Sequence, residues 1–305
     1  MIKKLWTESA PLTAVAALML VVFVVSAAAI YLDPRTIAGF PAWLKPAKFA
    51  ISTAIYSATM AWLFQYIRVW PRFIRASGWI VAIVFVAEVA IIDVQAARGT
   101  TSHFNASTPL NQVLFSMMGV MIGVLWVTSA GVLAALFRQK FSDPVWGWSL
   151  RLGMLITVLG SASGGLMIPP TPEQMAQLRT HQIPPVVGAH TVGAPDGGPG
   201  LPGVGWSREH GDLRVPHFLG MHGIQVIAFL GWLIWRRRGT VRLVFTVAAS
   251  YLSFAGILLW QALRGQSVIE PDQATLIALG IWLAATAAAV LWSSRRSAET
   301  SMVTA

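Results

Sequence analysis

The amino-acid sequence predicts an all-α protein, a polytopic transmembrane helix bundle of about eight spans with both termini in the cytoplasm. Three observations predict this class. The 305 residues are 55% apolar and only 11% charged, whereas a soluble domain carries about 25% charged residues. The apolar residues form runs that suit a membrane, since a spanning helix needs about 20 of them. Lysine and arginine are concentrated in alternate connections between these runs, as the orientation of membrane helices requires.

Eight windows of the sequence have the length and composition of a spanning helix. They cover residues 11–32, 46–67, 77–96, 109–137, 146–168, 214–235, 241–263 and 273–292. The second window is the weakest, because four hydroxyl side chains dilute it: Ser52, Thr53, Ser57 and Thr59. Proline marks the connections, as expected of turns, at Asp33-Pro34, Pro71, Pro109, Asp143-Pro144 and Pro271.

The distribution of charge predicts the orientation, because Lys and Arg stay preferentially on the cytoplasmic side. With the N-terminus inside, 14 of the 22 basic residues fall in cytoplasmic segments, which hold only three acids. Arg295, Arg296 and Glu299 near the C-terminus belong to this inner set. The outer segments hold eight basic residues and nine acids. This asymmetry predicts a single transmembrane domain, residues 1–305, with both ends inside.

The first window has an alternative interpretation as a cleaved signal peptide, residues 1–29, because Lys3 and Lys4 precede it and Ala27 and Ala29 follow its apolar part. A signal peptide has an apolar region of about 7–15 residues. The run in this sequence is closer to the length of a span, which favours a retained helix.

One connection is much longer than the others. Residues 169–213 are rich in Pro and Gly and have no helical or strand period, so we expect an extended outer loop. Loops of more than about 15 residues are usually functional or disordered.

Composition also excludes several classes of protein. With no cysteine, the chain has no disulfide, no thiolate metal site and no cysteine nucleophile. The net charge of +10 does not indicate nucleic-acid binding, because the basic residues are scattered beside apolar runs rather than gathered in a basic domain. The expected partners are the lipid bilayer and a small-molecule ligand.

The histidines are candidate metal ligands because all six fall in outer segments or at the outer ends of spans: His103, His181, His190, His210, His217 and His222. His217 and His222 lie within the sixth window, where a polar side chain is costly and normally faces the bundle interior. Their spacing of five residues places them about 140° apart around a helix, so they do not chelate one ion as an i,i+4 pair does. We predict His103, His217 and His222 as metal ligands, with structural hydrogen bonds between helices as the alternative.

Two acids in the third window are candidate catalytic or proton-carrying residues. An ionisable residue inside a span is a functional hypothesis by default, and Glu88 lies deeper in the window than Asp93. The alternative for Glu88 is a structural ion pair or hydrogen bond with a Lys or His.

A further set of polar residues is predicted to bind a ligand, since its members lie at the outer ends of the second, third, fourth and sixth windows. Lys45 and Lys48 begin the second window, where positive charge opposes the helix dipole; contact with lipid phosphate is their alternative role. If these windows cluster, the whole set faces one outward-opening pocket. Its members are Lys45, Lys48, Arg98, Asn105, Asp212, Arg214 and Gln225.

Three patterns carry a resemblance. Lys-Pro-Ala-Lys-Phe (45–49), Arg-Gly-Thr-Thr-Ser-His-Phe-Asn (98–105) and Gly-Asp-Leu-Arg-Val-Pro-His-Phe-Leu-Gly-Met-His-Gly-Ile-Gln (211–225) resemble those of a bacterial family of uncharacterised polytopic integral membrane proteins. The resemblance covers most of the chain. It implies a multi-pass protein of the bacterial cytoplasmic (inner) membrane and supplies no activity.

Three functions fit the sequence, and whether the protein is an enzyme stays open. The first is a metal- or haem-binding membrane enzyme or redox protein, with histidines as ligands and cations facing haem propionates. The second is a proton-coupled transporter of a small, anionic substrate, in which Glu88 and the histidines carry protons. The third is a non-catalytic sensor or assembly partner. The first is our leading hypothesis, with haem or a transition metal as its cofactor.

Overall fold

The structure, a computed structural model, describes the backbone of residues 2–303 and the side chains of residues 2–294. It is 71% helical and 4% strand, which confirms the all-α class. The helices are α1 (Ile2–Glu8), α2 (Ala10–Leu32), α3 (Leu44–Phe64), α4 (Pro71–Ala97), α5 (Pro109–Arg138), α6 (Pro144–Ala162), α7 (Pro172–Arg179), α8 (Arg214–Met221), α9 (Gly223–Arg236), α10 (Val241–Leu263) and α11 (Gln273–Val303). A 3₁₀ helix, Ser163–Met167, follows α6. Two antiparallel pairs of short strands join β1 (Thr36–Ile37) to β2 (Phe40–Pro41), and β3 (Thr191–Val192) to β4 (Gly211–Asp212).

Four helices begin at a proline, namely α4, α5, α6 and α7. Proline suits the first helical position because its missing N–H would have no partner there and its φ is already helical. At the start of α6, the Asp143 carboxylate also accepts a hydrogen bond from the Trp146 backbone N–H at 2.9 Å. The predicted start at residue 109 is confirmed, whereas α4 and α6 begin before their windows, at Pro71 and Pro144, which the sequence analysis assigned to connections.

All eight windows of the sequence are helical, and six of the described helices are long and apolar enough to cross a membrane. These are α2, α4, α5, α6 with its 3₁₀ extension, α10 and residues 273–294 of α11. Helices α8 and α9 would together form a seventh span, bent by 46° where they meet at His222. This is the architecture of a multi-pass membrane protein. Helix α3, from the weakest window, is not among the six.

The chain divides into two compact units, and the first consists of residues 1–135, 167–189 and 195–205. In this unit α2 packs along α3, and α4 contacts both helices. The connection from α2 to α3 is fixed by Asp33, whose carboxylate accepts hydrogen bonds from the Arg35 guanidinium at 2.9 Å and from the Trp43 indole at 2.8 Å. These two donors, Arg35 first, hold the pKa of Asp33 well below its ordinary value. The start of α3 is therefore tied to the end of α2.

The second unit consists of residues 136–166, 190–194 and 206–305. Here α6 packs against α8, α9 and α10. Contact between α6 and α8 is so close that a Cβ atom added at Gly160 would overlap the backbone of Gly220, and the reverse also holds. Small residues allow membrane helices to approach in this way, since lipid supplies little hydrophobic drive for helix association.

The sequence predicts that residues 169–213 form an extended loop without regular structure. This prediction is wrong in two places, because the segment contains helix α7 and the β3–β4 pair. Helix α7 has a local cause. The Thr171 hydroxyl accepts from the Gln174 N–H, and the Gln174 side chain accepts from the Thr171 N–H. This reciprocal capping box, followed by Pro172 at the first position, starts a helix without any apolar period.

Three residues of the predicted charge asymmetry, Arg295, Arg296 and Glu299, lie outside the residues whose side chains the structure describes.

The close approach of α6 and α8 generates a prediction. Gly160→Ala places a methyl group into the backbone of Gly220, so we expect it to lower the free energy of unfolding by about 1–3 kcal/mol, the usual cost of overpacking. Thermal unfolding of the purified protein in detergent measures the change.

Gly123→Ala in α5 is the matched control, because a Cβ atom there meets nothing within 4 Å. Alanine favours a helix over glycine by roughly 0.5–1 kcal/mol, so this variant should be as stable as the parent protein or more stable. Equal thermal unfolding of the two variants would contradict the assigned packing.

Candidate functional site

Lys45 and His103 form the centre of a polar cluster in the first unit. The Lys45 ammonium lies 3.0 Å from Nδ1 of His103, and the Ser102 hydroxyl lies 3.0 Å from the same nitrogen. Because a charged ammonium group can only donate, Nδ1 is the acceptor and the ring proton is assigned to Nε2. His103 is therefore a neutral imidazole while Lys45 is charged.

Aromatic rings surround this imidazole. The His103 ring centroid lies 5.6 Å from that of Phe49 on α3 and 6.3 Å from that of Phe115 on α5. Phe104 contacts His103 at 6.3 Å and Phe115 at 5.4 Å. The Lys45 ammonium also lies 5.7 Å from the Phe49 ring. The apolar rings lower the local dielectric and so strengthen electrostatic interactions in the cluster.

Glu88 lies on α4 and is 4% exposed. Within the described residues, its Oε1 atom is buried without a hydrogen-bond partner. Burial disfavours the ionised form of this carboxyl group, and the positive charge of Lys45 offsets part of that cost without a hydrogen bond to Oε1. Ser57 on the neighbouring helix α3 is also fully buried, and its hydroxyl likewise has no partner among the described side chains. A buried polar atom without a hydrogen-bond partner is uncommon in a native protein, so each such atom needs a structural or functional reason.

Asp93 is less buried than Glu88 and lies five residues further along α4, on a different face. Its Oδ1 atom is buried and has no hydrogen-bond partner in the described part of the chain. Gln95, seven residues after Glu88, shares the Glu88 face and is fully buried. The third predicted span thus carries a buried polar stripe that begins at Glu88.

Arg98 and Asn105 belong to a network that joins the end of α4 to the start of α5. The Arg98 guanidinium donates to Oε1 of Gln95 at 2.6 Å, and the Gln95 amide donates to Oδ1 of Asn111 at 3.0 Å. Asn105 accepts from the Ser107 hydroxyl at 2.6 Å, and Ser107 accepts from Asn111 at 3.0 Å. These side chains satisfy one another, so their structural role is clear, whereas their predicted ligand role stays a prediction.

Lys48 connects α3 to the Pro/Gly-rich segment. Its ammonium donates to the backbone carbonyl oxygen of Val204 at 2.6 Å. The same segment lies against the β1–β2 hairpin, since a Cβ atom at Gly200 would overlap the Phe40 ring. Residues 195–205 are therefore fixed to α3 and to the hairpin before it.

In the second unit, Asp212 and Arg214 form an ion pair of 2.5 Å with the carboxylate almost fully buried. Asp212 also accepts from the backbone N–H of Ser207 at 2.8 Å and of Arg214 at 3.0 Å. The two predicted ligand residues thus hold the entry into α8.

His217 and His222 occupy different environments. Nδ1 of His217 lies 2.9 Å from the Gly160 carbonyl oxygen near the end of α6, which makes it a donor to that carbonyl. His222 stands at the junction of α8 and α9, with its ring centroid 4.4 Å from that of Phe218 and Gln225 within hydrogen-bonding reach. The His217 ring is thus held at the end of α6, and the His222 ring lies at the junction of α8 and α9.

The junction at His222 is completed by Thr157 of α6, which is fully buried. Its hydroxyl accepts from the Ile224 N–H at 2.8 Å and lies 3.3 Å from the Met221 carbonyl oxygen. One side chain therefore contacts two backbone groups at the break between α8 and α9.

The residues predicted as metal ligands do not form a ligand set in one unit. His103 belongs to the first unit, whereas His217 and His222 belong to the second. Among the described residues, no group of three or more His, Asp or Glu side chains is arranged to hold a metal ion. Among the predicted residues of the first unit, the structure does bring Lys45 and His103 into contact.

Comparison with known proteins does not assign the chain to a family. No model of a protein family, no curated protein and no solved structure matches the chain. The resemblance to a bacterial membrane family therefore stays a prediction.

Several residues of these sites were not predicted. Ser57 lowers the hydropathy of the second window, although a hydroxyl within a span is itself a signal of a helix interface. Thr157 and Phe115 gave no signal in the sequence, because their roles come from contacts with residues 67 and 12 positions away, Ile224 and His103.

The electrostatic link between Lys45 and Glu88 can be measured by a double-mutant cycle. Lys45→Met and Glu88→Gln should each lower the free energy of unfolding in detergent. The double variant should lose about 1–2 kcal/mol less than the sum of the two single losses. The reason is that each single change already removes the interaction.

Lys45→Met combined with Glu173→Gln is the control, since Glu173 lies in α7 and bonds to Thr171 instead. Its effects should add within about 0.5 kcal/mol. Strict additivity for Lys45 and Glu88 would show that the two groups do not interact.

Proposed function

We propose that the chain is a multi-pass membrane transporter that couples a small, anionic substrate to proton movement, with Glu88 as the proton-carrying group. The observation that carries the proposal is the buried Glu88 carboxyl group, which has an oxygen without a hydrogen-bond partner in the described residues. Ionisable residues inside membrane helices typically mark proton and substrate pathways.

Each protonation state of Glu88 carries an energetic cost. An ionised carboxylate without hydrogen bonds is expensive in an apolar interior. A protonated Glu88 instead loses its electrostatic attraction to the Lys45 ammonium. Each state therefore has a cost that the other relieves, which is the property required of a group that binds and releases a proton during transport.

Lys45 and His103 would complete the proton-carrying site. Lys45 links the two groups, since it interacts with Glu88 and lies 3.0 Å from His103. When Glu88 takes up a proton, an anionic substrate can replace it as the counter-charge of Lys45. Cotransport of one proton with one anion would then keep the charge of the buried site constant.

The broken helix at His222 agrees with a transporter, because transporters build their sites around discontinuous helices. Metal or haem binding, the leading hypothesis from the sequence, has no comparable observation in its favour. His103 accepts from Lys45 through one ring nitrogen, and His217 holds the end of α6. A sensor or assembly role has no specific support either.

We further propose that the protein has eight spans with both termini in the cytoplasm, and that it resides in the bacterial inner membrane. The eighth span is α3. Its 21 residues reach about 30 Å, the thickness of the bilayer core. Its low hydropathy has a structural explanation, since the hydroxyl side chains of Thr53 and Ser57 are buried against other helices.

Cysteine labelling tests this topology, and the absence of native cysteine makes every introduced cysteine unique. Thr36→Cys precedes α3 and Arg72→Cys follows it, and both positions are exposed. A membrane-impermeant maleimide added to intact cells should label position 36, whereas position 72 should react only after permeabilisation. Labelling of both from the same side would contradict a spanning α3.

Transport is tested in proteoliposomes that contain a trapped pH-sensitive dye. Nitrate, phosphate, lactate and glutamate are added outside, one at a time, under a proton gradient. At least one anion should accelerate the lumenal pH change. Glu88→Gln should reduce this rate to that of empty liposomes, because the amide cannot exchange a proton.

Glu173→Gln removes a carboxylate of α7 and serves as the matched control, with transport expected to be unchanged. If no anion in the panel moves protons through the parent protein, or if Glu88→Gln transports at the parent rate, the proposal is wrong.

A further inference from the structure

A cluster of four arginines occupies the turn between α9 and α10. Arg236 ends α9, Arg237 and Arg238 follow it, and Arg242 lies in the first turn of α10. All four are exposed. Within the part of the chain that the structure describes, none of the four forms an ion pair with a carboxylate. The turn therefore presents uncompensated positive charge.

Two of these arginines are placed by tryptophan rings. The Arg242 guanidinium lies 4.6 Å from the Trp292 ring centroid, and the Arg236 guanidinium lies 5.0 Å from that of Trp232. Tryptophan is concentrated where a membrane meets water, and cation–π contact holds a guanidinium over the ring. This is the placement expected of charges at the depth of lipid head groups.

A groove between α10 and α11 begins at Arg242. Its volume is about 680 Å³, and it follows α10 from Arg242 to Ile257, a length of about 22 Å at the helical rise. Both helices belong to the second unit. The groove extends from the arginine cluster into the apolar part of the helix pair.

Several polar groups along the groove bond across the helix pair, whereas the exposed Ser253 hydroxyl also lines it. The hydroxyls of Thr246 and Ser293 lie 2.9 Å apart, and those of Ser250 and Thr286 lie 2.8 Å apart. The Trp282 indole donates to the Ser250 carbonyl oxygen at 2.9 Å. Most of the surface that remains for an occupant is alkyl and aromatic.

We propose that this groove binds one anionic phospholipid, with its phosphate at Arg242 and the neighbouring turn arginines and an acyl chain along α10 and α11. Charge complementarity selects the head group, because a zwitterionic lipid brings its own cation whereas a lipid of net negative charge neutralises the cluster. Basic sites between membrane helices bind anionic lipids by this chemistry. This site does not depend on Glu88 or on transport.

Native mass spectrometry of the purified protein with added lipid tests the assignment. The parent protein should retain one phosphatidylglycerol molecule and much less phosphatidylcholine. Arg242→Gln should weaken phosphatidylglycerol binding about fivefold, the effect of losing one basic residue near an anionic head group. Arg72→Gln, an exposed arginine at the start of α4, is the control and should bind as the parent does.

A second variant separates the groove from the charge. Ala249→Phe fills the groove and keeps all four arginines, and it should also lower phosphatidylglycerol retention. Ala285→Leu, which also lines the groove, tests the same point if Ala249→Phe does not fold, as judged by its circular dichroism. Glycerol 3-phosphate, which lacks the acyl chains, should not displace the bound lipid.

Three results would overturn the proposal: equal retention of the two lipids, parent-like binding by both Arg242→Gln and the folded groove variants, or displacement by glycerol 3-phosphate. The last result would mean that the arginines bind a phosphate without the groove.

Discussion

Backbone groups inside a membrane must find hydrogen-bond partners within the protein, because the hydrocarbon offers none. Long helices meet most of this requirement. Where a helix breaks or ends, a side chain from another helix can supply the missing hydrogen-bond partner. Between α8 and α9, Thr157 serves the amide of Ile224 and the carbonyl of Met221. Near the end of α6, the His217 ring serves the carbonyl of Gly160. Polar residues that look like ligands in the sequence therefore also complete backbone hydrogen bonding.

The helices could be predicted from the sequence because their causes are local. Apolar runs locate each long helix, and Pro71, Pro109 and Pro144 fix where three of them begin. The 46° bend at His222 could not be predicted, since the side chain that stabilises it comes from a different helix. Helix α7 was missed for the opposite reason. Its capping residues Thr171 and Gln174 are local and visible, but a search for long apolar runs does not detect them.

The candidate site was predicted in part. Glu88, Lys45 and His103 each stood out as polar residues in or beside apolar windows. Their grouping depends on the packing of α3 and α4 and on the connection to α5, which no local pattern specifies. Arg98 and Asn105 show the limit of such reasoning. A dense set of polar side chains suggests a ligand, yet here the side chains bond mainly to one another and to Asn111.

Lys45 and Lys48 are three residues apart and share a face of the first turns of α3. Lys45 contacts His103, and Lys48 holds the carbonyl of Val204 in the segment 195–205. A rotation or shift of this end of α3 would change both contacts together. The segment 195–205 and the Lys45–His103 contact therefore share one anchor, the first turns of α3, so the position of a surface segment and that of a partly buried charge depend on the same stretch of backbone.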